Sequence, residues 1–284
     1  MSESARLIEE AQDRWAGNRP RDARWDKYLR TVEENLFLRC LLPESRIEFR
    51  DGDGSELHDT PRRPAKMRAL VSSSALAVNF FDAWRDADKG QLAAALGLPA
   101  PILKMQFEFK PKHYPIRPRS PNLDLFLGLE NGQGVGIESK FSEPFRSDDG
   151  HGVLSTRYFS ASKQFWAAAS LEGAQAIADR LRPEWIHLDA AQLLKHLLGL
   201  AHAPEKPNLL LYMWFDTGRP DSEAHRREIE RFAGAVMGGA VAFRAIAYQA
   251  VFHELARTPP PKEGWDEYMA TRYFSSDGSS QETR

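Results

Sequence analysis

One tight turn constrains this chain more than any other feature. The turn runs from Glu130 to Gly134 and contains an Asn-Gly pair between two alternating apolar segments, the strongest short-range indication of a β-hairpin. Because side chains alternate between the faces of a strand, Glu138 and Lys140 share one face of the second strand. The turn brings Asp124 of the first strand across from one of them, and cross-strand Cβ atoms lie about 4.5–5.5 Å apart.

Two carboxylates and an ammonium group on one face, with small glycines beside them, predict a metal site. Mg²⁺ prefers oxygen ligands in octahedral geometry and keeps several of its waters. Asp124 and Glu138 supply two oxygens, and the main-chain carbonyl of Ser139 is the candidate for a third. Such an ion stabilises charge on a scissile phosphate and lowers the pKa of a bound water, which Lys140 would orient. We expect burial and the cation to lower the pKa of Lys140.

The same residues permit a simpler interpretation. A Glu-x-Lys triplet on a strand is commonly a solvated ion pair that contributes under about 1 kcal/mol. Matches to a three-residue pattern also arise often by chance, and a short motif needs its structural context. The shared face, the paired Asp124 and the flanking glycines favour the metal site.

With these residues in place, the chain resembles the PD-(D/E)xK, or restriction-endonuclease-like, nuclease superfamily. Asp124 stands at the first acidic position, although Asn122-Leu123 precedes it instead of Pro, and Glu138-Ser139-Lys140 fits the second part in full. The segment GIESKFSEPF is similar to an uncharacterised bacterial branch of that superfamily, and the resemblance extends from about Ser72 to about Leu255. It implies an α/β fold with a mixed central sheet flanked by helices, and Mg²⁺-dependent (or Mn²⁺-dependent) hydrolysis of phosphodiester bonds.

Two further residues are candidates for supporting roles at this site. Glu108 falls on the predicted strand beside it, either as a third carboxylate or as a cross-strand partner for a lysine. Gln192 lies on a predicted helix that Asp189 caps. In some superfamily members this helix carries a Gln followed four residues later by a Tyr near the active site. His196 replaces that Tyr here, and we expect it to be a solvated surface residue.

Basic side chains indicate where nucleic acid would bind. Lys110 and Lys112 belong to the densest basic segment and are candidates for phosphate contacts, although a solvated loop is the simpler interpretation. We extend the same expectation to Lys163, Gln164 and Lys195. The formal net charge of −2 argues against wholesale coating of nucleic acid but permits a local basic groove.

The remaining sequence predicts one core with additions at both ends. We divide the chain into an N-terminal helical extension with a polar connector (1–70), a nuclease-like core (71–258) and a C-terminal helix with a disordered tail (259–284). An apolar stripe predicts a helix from Arg24 to Leu42. Further helices are expected from Ser72 to Trp84, from Arg157 to Arg182 and from Ser222 to Val236, with a strand buried on both faces from Asn208 to Phe215.

Composition narrows the class of protein. A hydrophobic content of 42% with 27% charged residues is that of an ordinary globular protein. The single cysteine excludes an internal disulfide and suits a reducing compartment. No apolar run approaches a membrane span and the N-terminus lacks a signal-peptide core, so we expect a cytoplasmic protein with no membrane partner.

These observations lead to one prediction and one alternative. We predict a Mg²⁺-dependent deoxyribonuclease of the restriction or repair type. RNA stays open as a substrate because the metal chemistry is common to both, and cleavage of both strands by one site per chain favours a homodimer. The alternative is a catalytically inactive nuclease-fold module that binds nucleic acid or a protein partner. Near-neutral net charge favours the module, whereas the intact Asp/Glu/Lys set favours the enzyme.

Overall fold

The structure, a computed structural model, describes residues 1–52, 56–116, 120–146, 154–159, 165–178, 185–204 and 208–274. The strands are β1 (Ile102–Phe109), β2 (Leu123–Leu129), β3 (Gly134–Lys140), β4 (Asn208–Trp214) and β5 (Val241–Ala247). The helices are α1 (Glu3–Ala16), α2 (Pro43–Arg50), α3 (Ser73–Phe81), α4 (Gly90–Ala95), α5 (Phe165–Ala168), α6 (Glu172–Ala178), α7 (Ala190–Ala201), α8 (Pro220–Val236), α9 (Tyr248–Leu255) and α10 (Trp265–Met269). Short 3₁₀ turns cover Glu33–Asn35, Lys66–Arg68, Asp82–Trp84, Glu143–Phe145 and Thr156–Phe159, and a π-helical turn covers Ala270–Phe274.

The five strands form one mixed sheet in the order β1-β2-β3-β4-β5. The first three are antiparallel neighbours, and β3, β4 and β5 run parallel. Every residue of β4 is buried, because helices cover both faces of the parallel half of the sheet. The predicted α/β fold with a mixed central sheet flanked by helices is therefore confirmed.

The β2–β3 hairpin adopts one of the two registers that the sequence permits. Gly132 adopts a φ of 83° at the turn, a conformation that glycine reaches without steric cost. Leu125 pairs with Ile137, so continuing the register by one residue places Asp124 opposite Glu138 rather than opposite Lys140.

Helices pack on both faces of the hairpin. Helix α7 contacts the face that carries Glu138. On the other face, the Ser139 hydroxyl lies 2.7 Å from the Tyr248 hydroxyl of α9, and the Tyr248 ring packs edge-on against Phe80 of α3. The β3 strand is thus held between two helical layers, which fixes the direction of its side chains.

Both ends of the described chain contribute to the same apolar core as the sheet. Ala5 and Ile8 of α1 belong to it, as do Trp265 and Met269 of α10. The Trp265 indole donates a hydrogen bond to the Asn79 carbonyl of α3 (2.8 Å). The proposed division at residues 70 and 258 stays a prediction.

Two predicted helices are wrong. Between Arg24 and Leu42 the described chain has only the 3₁₀ turn Glu33–Asn35, because the main chain of Leu29 is bound by Arg68 instead of by its helical neighbours. The helix expected from Arg157 to Arg182 is broken, since Ser170 takes a φ of 52° between α5 and α6. The candidates Lys163 and Gln164 lie outside the described residues.

No helix in the described part of the chain is long and apolar enough to cross a membrane.

Candidate active site

The site forms where the β2–β3 ladder ends. Asp124 lies one residue beyond the last paired position of β2, and its Oδ2 accepts a hydrogen bond from the N–H of Ser139, two residues beyond the last position of β3 that pairs with β2 (2.7 Å). The N–H and C=O of one residue in a strand point to the same edge. The Ser139 carbonyl therefore faces the end of β2, on the side where Asp124 lies, as expected for the third oxygen of the site.

Glu138 is the most enclosed member of the site, with only 1% of its side chain exposed. Lys140 Nζ lies 2.6 Å from Glu138 Oε1 and also donates to Gln192 Oε1 at 2.8 Å. His196 Nε2 lies 2.9 Å from Glu138 Oε2, but the two atoms lack the alignment of a hydrogen bond, and neither has another hydrogen-bond partner among the described residues. The site therefore contains a buried carboxylate oxygen that is not saturated by hydrogen bonds.

Helix α7 carries Gln192 and His196, whose side chains reach residues of β3. Asp189 caps it by accepting from the Gln192 N–H (2.9 Å), as predicted. Gln192 and His196 are four residues apart and so lie on one face of the helix, toward the sheet. The expectation of a solvated His196 is wrong, because this residue is fully buried. An apolar stripe along a helix indicates only one packed face. No pattern in the sequence indicates that the face of α7 that carries Gln192 and His196 is also packed against the sheet.

The two carboxylates on the hairpin have opposite protonation behaviour. Burial, followed by the charge of Glu138, raises the pKa of Asp124 well above its ordinary value. Burial acts in the same direction on Glu138, but Lys140 and His196 outweigh it and lower the pKa of Glu138 to about 2. When the pair holds one proton, that proton is therefore favoured on Asp124 rather than on Glu138.

In the metal-free protein the pKa of Lys140 is not lowered, and the effect of a bound cation on it stays a prediction. Burial does act to lower this pKa, but the charges of Glu138 and Asp124 outweigh it and raise the pKa above its ordinary value. The side chain is 14% exposed, and it is held between Glu138 and Gln192 as an ammonium group.

Glu108 occupies a strained position beside the hairpin. Its φ of 50° is unusual for a residue with a side chain, and the β1–β2 register passes from the Phe107–Leu125 pair to the Phe109–Leu123 pair around it. Asn122 Nδ2 donates to Glu108 Oε2 (2.9 Å). Burial is the main cause that raises the pKa of Glu108 to about 7, and the charges of Glu56 and Glu138 contribute.

Sequence reasoning missed two residues that surround Glu108. In the sequence, Asn122 is only a departure from the family pattern, but in the structure its side-chain amide donates a hydrogen bond to Glu108. Glu56 is buried, with Lys66 Nζ and the Ser74 hydroxyl each 2.8 Å from its carboxylate. Glu56 belongs to a polar connector, and no local pattern shows that this connector folds back toward the sheet.

The lysines proposed to contact nucleic acid differ in how far their side chains are exposed to solvent. Lys110 Nζ donates to the Asp51 carbonyl (3.1 Å), Lys112 is exposed, and Lys195 is half-buried on α7. Their contact with nucleic acid stays a prediction.

The donor set is suited to a hard divalent cation. Asp124, Glu138 and the Ser139 carbonyl present oxygen atoms, and Mg²⁺ is commonly held by one or two carboxylates with waters filling its other positions. Within the described residues, no group of three or more His, Cys, Asp or Glu side chains is arranged to hold a metal ion. The arrangement therefore fits an ion bound by two side chains and a main-chain carbonyl, and it does not fit an all-side-chain cage.

A mixed sheet with this carboxylate-lysine hairpin at its centre defines a restriction-endonuclease-like protein. A family model described as "Restriction Endonuclease associating with ARP" matches residues 6–274. Because the match covers almost the whole chain, the protein belongs to this family. No curated protein and no solved structure matches the chain.

Proposed function

We propose that this protein is a nuclease that hydrolyses phosphodiester bonds in a Mg²⁺-dependent or Mn²⁺-dependent reaction. The observation that carries the proposal is the convergence of Asp124, Glu138 and Lys140 at the open end of the β2–β3 ladder. The pKa of Asp124 is raised well above its ordinary value because the residue lies in a buried site beside another carboxylate. A divalent cation would relieve that repulsion, which makes the site suited to binding one.

Asp124, Glu138 and the Ser139 carbonyl would hold the ion, which supplies stabilisation of phosphate charge and a bound water of lowered pKa. Lys140 is held by Glu138 and Gln192 and keeps its proton. It therefore acts as a hydrogen-bond donor that positions the phosphate or the attacking water, and not as a base.

Glu108 is the candidate for the proton acceptor. A general base works best when its pKa is close to the operating pH. The pKa of Glu108 is raised to about 7, and the charge of Glu138 contributes to that shift. We propose that Glu108 receives the proton of the attacking water and that the Asn122 amide orients its carboxylate.

We propose DNA as the substrate, because the matched family is described as a restriction endonuclease. RNA is the alternative substrate, since the same residues serve both. If both strands of a duplex are cut, two copies of the chain would act together as a homodimer. We also propose that the protein associates with ARP, the partner that the family description names.

Incubation of the protein with plasmid and short duplexes in Mg²⁺ or Mn²⁺ tests the activity. We expect cleavage that EDTA stops and that Asp124→Ala and Lys140→Ala each reduce by at least about 100-fold, a typical effect of removing one electrostatic group from an active site. Lys262→Ala is the matched control, because Lys262 is a surface lysine 3.8 Å from Asp86. Cleavage that survives both site substitutions would remove these residues from the proposed function.

A second candidate function is supported by the surroundings of Glu138. Each carboxylate oxygen of Glu138 already lies within 3 Å of a nitrogen, one from Lys140 (2.6 Å) and the other from His196 (2.9 Å). In a protein that no longer binds a metal ion, such contacts would take the place of the ion. The protein would then be an inactive nuclease-fold module that binds nucleic acid or a protein partner. Calorimetric titration with Mn²⁺ separates the two, because only an intact site takes up the ion in a manner that depends on both Asp124 and Glu138.

A further inference from the structure

A cleft of about 440 Å³ lies beside α2. One wall is formed by α2 itself and another by the segment that precedes and includes the Glu33–Asn35 turn. A third wall comes from the connector around His58. Its charged and polar lining includes Arg30, Glu33, Arg46, Arg50, His58 and Arg68.

The cleft has an excess of positive charge. Arg30 and Arg46 are exposed, and neither side chain has an ion-pair or hydrogen-bond partner among the described residues. Arg50 has only a long contact with the neighbouring Asp51, 3.7 Å. By contrast, Arg68 is neutralised by Asp22 and Asp59, so it closes the floor of the cleft without adding net charge.

Helix α2, which forms one wall of the cleft, also contacts β1, the strand that carries Glu108. Helix α2 packs on β1, where the Phe49 ring stacks on Phe107 with centroids 5.2 Å apart. Just after α2, the main chain of Gly52 approaches Glu108 so closely that an added Cβ would lie 2.9 Å from Glu108 Oε2. In the connector, Glu56 comes directly before the cleft residue Leu57, and its charge contributes to raising the pKa of Glu108. The two chain segments that form these walls, α2 and the connector, therefore continue into residues beside Glu108, although Gly52 and Glu56 do not themselves line the cleft.

We propose that this cleft binds the phosphodiester backbone of the nucleic acid strand whose scissile phosphate lies at Asp124 and Glu138. The inference rests on the proposed function and adds the path of the nucleic acid on one side of the scissile phosphate. Guanidinium groups match phosphate oxygens bidentately. None of the described residues that line the cleft is Phe, Tyr or Trp, so it offers no such ring for stacking a base. The cleft thus recognises the backbone and not its sequence.

Fluorescence anisotropy with end-labelled duplex and single strands, in EDTA to prevent cleavage, tests the inference. We expect Arg30→Glu and Arg46→Glu each to weaken binding by about tenfold, equally for unrelated sequences. Each substitution should also make the slope of log affinity against log salt shallower by about one, because one phosphate contact is lost. Arg227→Glu is the matched control, since Arg227 is an exposed helical arginine on α8, and it should change affinity less than twofold.

Unchanged affinity and unchanged salt slope in both variants would overturn the inference even if the wild-type protein cleaves DNA. Absence of nucleic-acid binding by the wild-type protein would overturn both the inference and the proposed function. Arg46→Gln provides a second variant that removes the charge without reversing it, and we expect a smaller loss in the same direction. Circular dichroism melts of all variants should coincide with that of the wild type, because Arg30 and Arg46 are exposed.

Discussion

Asp124 and Glu138 face each other across one hairpin, yet their carboxyl groups differ in what stabilises their charge. Glu138 has Lys140 and His196 within 3 Å, whereas Asp124 accepts one main-chain hydrogen bond, from Ser139. The parity of the strands made the convergence of Asp124, Glu138 and Lys140 predictable. The direction of each pKa shift was not predictable, because it depends on the residues that α7 brings from outside the hairpin.

Replacement of Asp124 by Asn should separate stability from activity. Burial and the charge of Glu138 raise the pKa of Asp124 well above its ordinary value and so favour its protonated form, whose shape and charge Asn reproduces. We expect the free energy of unfolding in EDTA to change by less than about 1 kcal/mol, and cleavage in Mg²⁺ to fall by at least about 100-fold. Urea unfolding and plasmid cleavage measure the two effects. A large loss of stability would show that Asp124 is ionised and paired.

Glu108 should make the metal-free protein less stable as the pH rises. Its pKa is about 7 in the folded chain and about 4.3 in an unfolded one, so the unfolded state loses its proton first. The contribution of Glu108 to stability is therefore highest below about pH 4.3 and falls until about pH 7. Glu108→Gln should remove this fall and stabilise the protein by on the order of 1–3 kcal/mol at pH 8, with no gain at pH 4.

Urea unfolding in EDTA between pH 4 and pH 8.5 checks the Glu108 prediction. The control is Glu254→Gln, because Glu254 is an exposed residue, and the substitution should leave the pH dependence unchanged. If wild type and Glu108→Gln have parallel stability curves, the proposed proton acceptor has an ordinary pKa.

At the scale of elements, α7 decides which side chains reach the site. Its sequence predicted the Asp189 cap and placed Gln192 and His196 four residues apart, on one face of the helix. The burial of His196 depends on how α7 lies across β3, which is a property of the packed pair. The same limitation explains the wrong helix from Arg24 to Leu42, where tertiary partners such as Arg68 override an apolar stripe.

Loss of the α7 cap should weaken both the helix and the site. Asp189→Ala removes the acceptor of the Gln192 N–H and should cost about 1 kcal/mol, while Asp189→Ser retains an acceptor and should cost less. Because Gln192 follows the cap within one turn and binds Lys140, we expect cleavage to fall more with Ala than with Ser. Thermal melts and initial cleavage rates measure this. Equal rates in the two variants would show that the cap does not position Gln192.

At the scale of the whole molecule, two parts of the sheet follow from patterns in the sequence, whereas the mixed sheet as a whole was implied by the family resemblance. The Asn-Gly turn predicted the antiparallel hairpin, and the apolar run from Asn208 predicted a strand buried on both faces. The packing of the chain ends was not predictable from such patterns. Trp265 and Met269 follow a proline-rich segment that reads as a boundary, but both are buried in the common core.

The C-terminal segment should therefore be needed for stability. Trp265 is 1% exposed and fills the core beside Trp84 and Phe80, so Trp265→Ala should reduce the free energy of unfolding by about 3–5 kcal/mol. Trp25→Ala is the control, because Trp25 is 38% exposed and should cost less than about 1 kcal/mol. Chemical denaturation compares the two. A small effect at Trp265 would indicate that the C-terminal segment is dispensable.

The central claim is that Asp124 and Glu138 hold a divalent cation at the end of the β2–β3 hairpin. A crystal soaked in Mn²⁺ and measured at the manganese absorption edge tests it most directly, because anomalous density locates the ion without reference to activity. We expect one strong peak within about 2.0–2.5 Å of oxygens from both carboxylates, the range for a hard divalent cation. Absence of a peak there, with Lys140 and His196 still against Glu138, would contradict the claim.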